Sequence, residues 1–389
     1  MAKIDRVCVD SYQVPLSTVL ADSTHGVIAG FELVTVRIDD TDGAQGVGYT
    51  YAVNSGAGAF HVLIDRYLGE VLHGQDADET ERLWQDMWWK VHYAGRGGHA
   101  TSAISAIDIA LWDLKGRRAG KPLWRLFGGF DPRVPVYAGG IDLHFSIEQL
   151  LEQADGFREH GFRAIKMKVG RCRLREDIER VRRMREHLGD DFPLMVDANM
   201  KWSANEAVRA ARALQEFDLM WLEEPTIPDD VLGHARIASD GGVPVATGEN
   251  LHSLYEFEQM IRLGGVSFPE PDVSNCGGMT VFRKIASLAE SRNLPVTSHG
   301  VHDLTVHLLA SVPNRTYMEA HGFGLDQFLA EPLHIADGFA VAPERLGHGV
   351  ELDWDALEQY RVPSEGRHDV TRARRRDAGA STATKGTPK

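Results

Sequence analysis

Seven stretches of this chain end an apolar run with a residue fit for metal binding or proton transfer. In order they are AIKMKVG with Lys166 and Lys168, LMVDAN with Asp197, MWLEEP with Glu223, VATGEN with Glu249, SFPEPD with Asp272, PVTSHG with His299 and TYMEA with Glu319. From Lys168 to His299 the steps are 29, 26, 26, 23 and 27 residues. A strand, a helix and two loops take up about that much chain, so the interval is that of a repeated β/α unit. One chemically useful residue per unit, each where its strand gives out, is the sequence form of a barrel active site.

The rest of the pattern agrees. From about residue 134 short β runs alternate with amphipathic helices, giving eight strands (VPVYAGG to TYMEA) and seven intervening helices. The expected fold class is α/β, a (β/α)7β barrel of the TIM type with an N-terminal α+β capping domain. The cap is expected over residues 1–130, completed by 331–362, and the barrel over 131–330. Within the cap, RVCVDSYQVPL and FELVTVRIDDTDGAQGVGYTY read as strands, and STVLADSTHGVIAG between them reads as a mobile loop. The final stretch, 363–389, has few apolar residues and many charges and reads as a disordered basic tail.

A formal charge of −14 argues against nucleic acid or an anionic membrane as partner, since both need a basic surface. It leaves room for an anionic small molecule if a dication inverts the local field. Cys8, Cys172 and Cys276 form neither a zinc pattern nor a disulfide framework, which fits a reducing cytosol. MAKIDRVCVD carries charges and no apolar core, so no secretory leader is expected, and no apolar run is long enough to span a membrane. The expected location is the cytoplasm.

Asp197, Glu223 and Glu249 close three successive strands at intervals of 26 residues. Three converging carboxylates repel one another unless a cation sits between them. Oxygen-only ligands with room for water favour Mg²⁺ over zinc. Lys166 and Lys168 stand two apart on one strand and so share a face, while Ile165, Met167 and Val169 take the other. Two ammonium groups side by side are expected to depress each other's pKa, as a base requires. Asp272, one repeat before His299, is placed to hold the imidazole in one tautomer. Glu319 could hydrogen-bond a developing enolate oxygen.

With these residues in view, the chain resembles the enolase superfamily, in its mandelate racemase subgroup, over roughly residues 1–362. The resemblance implies Mg²⁺ on Asp197, Glu223 and Glu249, and Lys168 as base on one face of the substrate with Lys166 assisting. It also implies that the His299–Asp272 dyad serves the opposite face, that Glu319 bonds an enediolate oxygen, and that the protein is a homo-oligomer. The partner is then a small hydroxy acid.

The subgroup contains dehydratases, racemases and cycloisomerases, so the capping loop must discriminate. Its Asp22, Ser23, Thr24 and His25, with Asn199 and the Gly139, Gly140 and Asp142 loop of the barrel, offer many hydrogen-bonding groups. Such a lining suits a polyol more than an aromatic acid. The expected reaction is therefore β-elimination of water from an aldonate or aldarate, giving a 2-keto-3-deoxy acid. Racemisation or cycloisomerisation of a related hydroxy acid or lactone is the alternative, and a non-catalytic sugar-acid-binding protein a remote one.

Overall fold

The computed structural model describes residues 2–321 and 325–363. Most of the expected tail, 364–389, lies outside the described residues. An antiparallel sheet opens the chain, with strands β1 (Ile4–Ala21), β2 (Val27–Asp40) and β3 (Gln45–Val53) in that order. The long helix His99–Arg118 lies on it and is buried along most of its length. The contact depends on Gly46 and Gly48, because a Cβ at Gly48 would collide with the Ala106 carbonyl.

The expected long loop between the first two strands is mostly strand. β1 continues to Ala21 and β2 begins at Val27, with Leu20 facing Ile28 and Ala21 facing Val27 across the ladder. Thr18, Val19, Val27 and Ile28 are β-branched, and with Leu20 they carry enough β-forming character to extend the hairpin. Only Asp22 to Gly26 turn.

The barrel follows in eight parallel strands: β4 (Arg133–Gly139), β5 (Ile165–Lys168), β6 (Leu194–Asp197), β7 (Leu222–Glu223), β8 (Val245–Thr247), β9 (Phe268–Pro269), β10 (Val296–Ser298) and β11 (Arg315–Ala320). They pair in the order β10-β11-β4-β5-β6-β7-β8-β9. β9 and β10 complete the circle just past their ends, where His299 N donates to Pro271 O at 3.4 Å. Among the described residues, seven helices run between these strands, from Ile147–Glu159 to His302–Leu309. Two begin in capping boxes, Ser146 with Gln149 and Ser203 with Glu206, which satisfy the free N–H groups of the first turn.

Alternation along the strands sets which side chains reach the barrel axis. Ile165, Met167, Val169, Leu194 and Val196 pack outward beneath the helices. Met195, Trp221, Tyr137 and Ala246 fill the interior floor. Lys166, Lys168, Asp197 and Glu223 are therefore carried inward above that floor.

Beyond β11 a small hairpin, β12 (Ile335–Ala336) and β13 (Phe339–Val341), pairs with the start of β4. The chain then returns to the first sheet, where Val362 N donates to Ser11 O at 2.8 Å and Gln13 N to Tyr360 O at 2.8 Å. Among the described residues no helix is long and apolar enough to cross a membrane.

Candidate active site

The strand-end register of the sequence is also the register of the sheet. Lys168 faces Asp197 and Asp197 faces Glu223 across consecutive ladders, so the three stand side by side at the barrel mouth. Oxygens of Asp197, Glu223 and Glu249 lie within 4.8 Å of one another. Asp197 and Glu223 are fully buried and Glu249 is half-buried. Lys168 Nζ lies 2.5 Å from Asp197 Oδ2. Lys166 Nζ contacts Glu223 Oε1 and lies 2.8 Å from Glu319 Oε1. The other oxygen of Glu223 accepts from Trp221 Nε1 at 2.9 Å, and Asp197 Oδ1 accepts from the Asn199 amide at 2.8 Å.

Across the mouth, His299 Nδ1 meets Asp272 Oδ2 at 2.9 Å. The second oxygen of Asp272 accepts from Ser274 N at 2.7 Å and Ser274 Oγ at 2.6 Å, so the carboxylate is locked in place. The far nitrogen of His299 faces Glu249 Oε2 at 3.3 Å and Glu319 Oε2 at 3.7 Å. Glu319 is fixed in turn by the Gly300 amide at 3.0 Å. The structure thus brings together every strand-end residue singled out in the sequence.

Electrostatics depart from expectation at the lysines. Burial pulls Lys168 down and Lys166 adds repulsion, but Asp197, Glu249 and Glu223 outweigh both and raise its pKa. Lys166 is raised too, by Glu223 and Glu319 against the cost of burial. The repulsion from Lys166 acts on Lys168 as expected, but the carboxylates of the neighbouring strands outweigh it. Burial pushes Glu223 up, aided by Asp197, Glu319 and Glu249 and opposed by Lys166. Acids outnumber cations here, and that excess is what a bound dication would relieve.

Four contributors were missed in the sequence. Glu270, two residues before Asp272 and so on the same strand face, accepts from Tyr137 Oη at 2.9 Å. Tyr137 Oη in turn lies 3.3 Å from Lys166 Nζ. Glu224 follows Glu223 and should point away from it, yet a left-handed backbone (φ 38°) turns it so that Asn250 Nδ2 donates to its Oε1 at 2.8 Å. Tyr51, on the cap strand β3, donates to Asp272 Oδ2 at 3.1 Å. A match of strand parity could have found Glu270; nothing local marks the other three.

The capping loop is less open than its composition suggests. Asp22 is buried and accepts from Thr24 N at 2.9 Å, His25 N at 2.6 Å and His25 Nδ1 at 2.8 Å. Burial pushes Asp22 up, but the bonds from His25 and Thr24 prevail and lower it to about 2. Ser23 Oγ donates to Ala198 O at 2.6 Å and Thr24 Oγ1 donates to Asn199 O. These hydroxyls clasp the barrel and are not free for a polyol. Asp142 is likewise engaged, by Lys168 N at 3.0 Å, Gln153 Nε2 at 2.8 Å and Arg180 Nη2 at 3.3 Å. Of the polar groups expected to meet substrate, the outer imidazole nitrogen of His25 and the buried, unpartnered Oδ1 of Asn199 remain.

Beside the dyad a small cavity lies between cap and barrel. Phe31, Leu33, Tyr49, Tyr51, Val301 and Leu325 give it mainly apolar walls, and Asp303 and His321 complete the lining.

Comparison with known proteins adds to this geometry. Residues 11–128 match the N-terminal domain of mandelate racemase / muconate lactonizing enzyme, and residues 149–356 match the enolase C-terminal domain-like family. A 3,6-anhydro-alpha-L-galactonate cycloisomerase of Streptomyces coelicolor is 63% identical over 359 residues, 92% of this chain and 99% of that protein. A crystal structure of a racemase from Streptomyces coelicolor with bound magnesium superposes with a TM-score of 0.91 at 62% identity, covering 92% of this chain and 100% of that one. The L-talarate/galactarate dehydratase of Salmonella typhimurium, liganded with Mg and L-lyxarohydroxamate, gives a TM-score of 0.89 at 33% identity, with 93% of each chain covered.

Proposed function

Because the chain belongs to the enolase superfamily, in the mandelate racemase subgroup, and takes Mg²⁺ as its cofactor, we propose that it opens the ether ring of a 3,6-anhydro sugar acid. The reaction begins with removal of the proton α to the carboxylate. It continues with departure of the oxygen on the β-carbon, which in such an acid is the ring oxygen. Dehydration is the same elimination with a free hydroxyl as leaving group. In the anhydro acid the oxygen stays tethered to the product, so the overall change is an isomerisation.

The observation that carries this reading is the occupied capping loop. An open-chain aldarate bears a hydroxyl on every inner carbon, and each needs a partner once enclosed. Asp22, Ser23 and Thr24 have already committed their groups to His25, Ala198 and Asn199. A ring that merges two oxygens into one ether asks for fewer partners. High similarity to a cycloisomerase across nearly the whole chain supports the same choice over the dehydratase expected from the sequence.

In this reading Asp197, Glu223 and Glu249 hold Mg²⁺; three hard oxygen donors within 4.8 Å and an excess of acid fit that ion. When bound, the ion stabilises negative charge as it builds on the carboxylate end of the substrate. Lys168 takes the α-proton on one face. Lys166, poised between Glu223 and Glu319, hydrogen-bonds the carboxylate, and Glu319 bonds the oxygen on which charge develops. His299, aligned by Asp272, serves the opposite face. Asn199 Oδ1 accepts from a substrate hydroxyl. The cap, 1–130 completed by 331–362, then encloses the substrate against the barrel, 131–330.

Purified enzyme with Mg²⁺ should be given 3,6-anhydro-L-galactonate, galactarate and arabinonate, with products read by proton NMR and mass. A new methylene beside a keto group at unchanged mass supports the proposal. Loss of water from an open-chain acid, with the anhydro acid untouched, would return the assignment to a dehydratase. Inversion with all oxygens retained would make it a racemase.

A further inference from the structure

Lys166 has three close polar partners, and one of them has no part in the chemistry described so far. Its ammonium group contacts Glu223 Oε1, lies 2.8 Å from Glu319 Oε1 and donates to Tyr137 Oη at 3.3 Å. An ammonium group carries three N–H donors, so these partners engage all of them. Glu223 and Glu319 have duties of their own, toward the metal and the substrate. Tyr137 is the neutral partner, and its hydroxyl makes a second bond, donated to Glu270 Oε1 at 2.9 Å.

All three residues of this chain of bonds are buried. Tyr137 lies on β4 and Lys166 on the adjacent β5, whereas Glu270 follows β9, which does not pair with β4. The bond from Tyr137 to Glu270 therefore crosses the barrel interior. The phenol ring is held as well, with Trp221 edge-on to it at 5.4 Å between centroids and Lys166 Nζ 5.2 Å from its centre. The directions of the bonds are fixed by chemistry. Lysine can only donate, so Tyr137 Oη accepts from it and passes its own single proton toward Glu270. The other oxygen of Glu270 is buried with no hydrogen-bond partner among the described residues, so its bond to Tyr137 is the one its side chain makes there. An ammonium group on a flexible four-carbon stem has no fixed place of its own. A hydroxyl locked by ring packing and by Glu270 supplies one.

We infer that Tyr137, anchored by Glu270, is a positioning residue that sets the place of the Lys166 ammonium group in the active site. This rests on the role given to Lys166 above, and it assigns no substrate contact to Tyr137 or Glu270. Without the Oη bond, the position of Lys166 is set by Glu223 and Glu319 alone. Both of those acids change their surroundings during turnover, Glu223 as the metal binds and Glu319 as charge develops on the substrate. Tyr137 and Glu270 stay the same throughout, which keeps the lysine in register with the reacting group. Glu270 acts through Tyr137, so the two form one unit.

The test is a double-mutant cycle read as kcat/KM on 3,6-anhydro-L-galactonate with Mg²⁺. Tyr137→Phe keeps the ring against Trp221 and removes Oη, and Glu270→Met keeps the length of the side chain and removes the acceptor. Each should lower kcat/KM by about tenfold or more. The double variant should be no worse than Tyr137→Phe alone, because the second residue acts through the first. Glu270→Gln, which still offers an acceptor to the phenol, should recover most of the loss seen in Glu270→Met. Thermal melts check that each variant is folded. Tyr137→Phe at the wild-type rate overturns the proposal. Losses that multiply in the double variant overturn it too, since the residues then act separately, as does Glu270→Gln no better than Glu270→Met, since Glu270 then acts by its charge. Failure of the underlying reading looks different: the wild-type enzyme leaves the anhydro acid untouched and acts on galactarate, and the same variants compared on galactarate then decide the role of Tyr137.

Discussion

Arg180→Met is the perturbation whose consequences the structure specifies most fully. Arg180 and Asp142 are both buried, and Nη2 lies 3.3 Å from Asp142 Oδ1. The same guanidinium donates to Phe145 O at 2.7 Å and Asp142 O at 3.0 Å. Methionine fills most of the volume but leaves a buried carboxylate without its guanidinium, while Phe145 O keeps Arg171 Nη2 at 2.9 Å and Asp142 O keeps Phe145 N at 3.0 Å. An uncompensated buried charge costs about 3–5 kcal/mol. A destabilisation of about 4 kcal/mol is therefore expected. Urea unfolding followed by tryptophan fluorescence measures it. Adding Asp142→Asn should recover about half, because the stranded charge is then gone. Asp142 Oδ1 also accepts from the Lys168 amide at 3.0 Å, so kcat should fall while KM for substrate holds. A loss below about 1 kcal/mol, or no recovery in the double variant, would refute the claim that this pair carries a real charge interaction.

Other expectations follow from the same geometry. Asp108, buried in the helix His99–Arg118, accepts from Thr280 N at 2.9 Å and Thr280 Oγ1 at 2.6 Å, yet burial raises its pKa to about 7. A carboxyl raised in the folded state gives its full stability below the unfolded value near 3.8 and loses it as pH rises through about 7. Asp108→Asn should therefore flatten the melting temperature between pH 4 and pH 8 and leave the variant the more stable at the upper end. Glu223→Gln removes one of three ligands and should weaken Mg²⁺ binding by at least about tenfold in calorimetry. Gly48→Val places a side chain against the Ala106 carbonyl and should destabilise the cap measurably in thermal melts.

Much of this was legible in the sequence because barrel geometry is periodic. A 26-residue step from Asp197 to Glu223 becomes a ladder pair, and the alternation of Ile165, Met167 and Val169 with two lysines becomes an outer and an inner face. The less legible features depend on contacts between distant segments. Tyr51 reaches Asp272 from a different sheet, 221 residues away in the chain. Glu224 joins the site only through a left-handed residue that breaks strand parity. The net direction of the lysine pKa shifts also depends on carboxylates of neighbouring strands that lie far off in the chain. The state of the capping loop is hidden in the sequence for a related reason. Composition counts the hydroxyls of Ser23 and Thr24, but only the fold reveals that the barrel already holds them.

The central claim is that Lys168 removes a proton α to a carboxylate in a site built for Mg²⁺. It is tested most directly by following deuterium into 3,6-anhydro-L-galactonate and its product with wild-type enzyme and with Lys168→Ala. The account predicts that wild-type enzyme with Mg²⁺ loses the α-proton and places one deuterium in the new methylene, and that chelation or Lys168→Ala abolishes both. Undiminished α-proton loss in Lys168→Ala would contradict it.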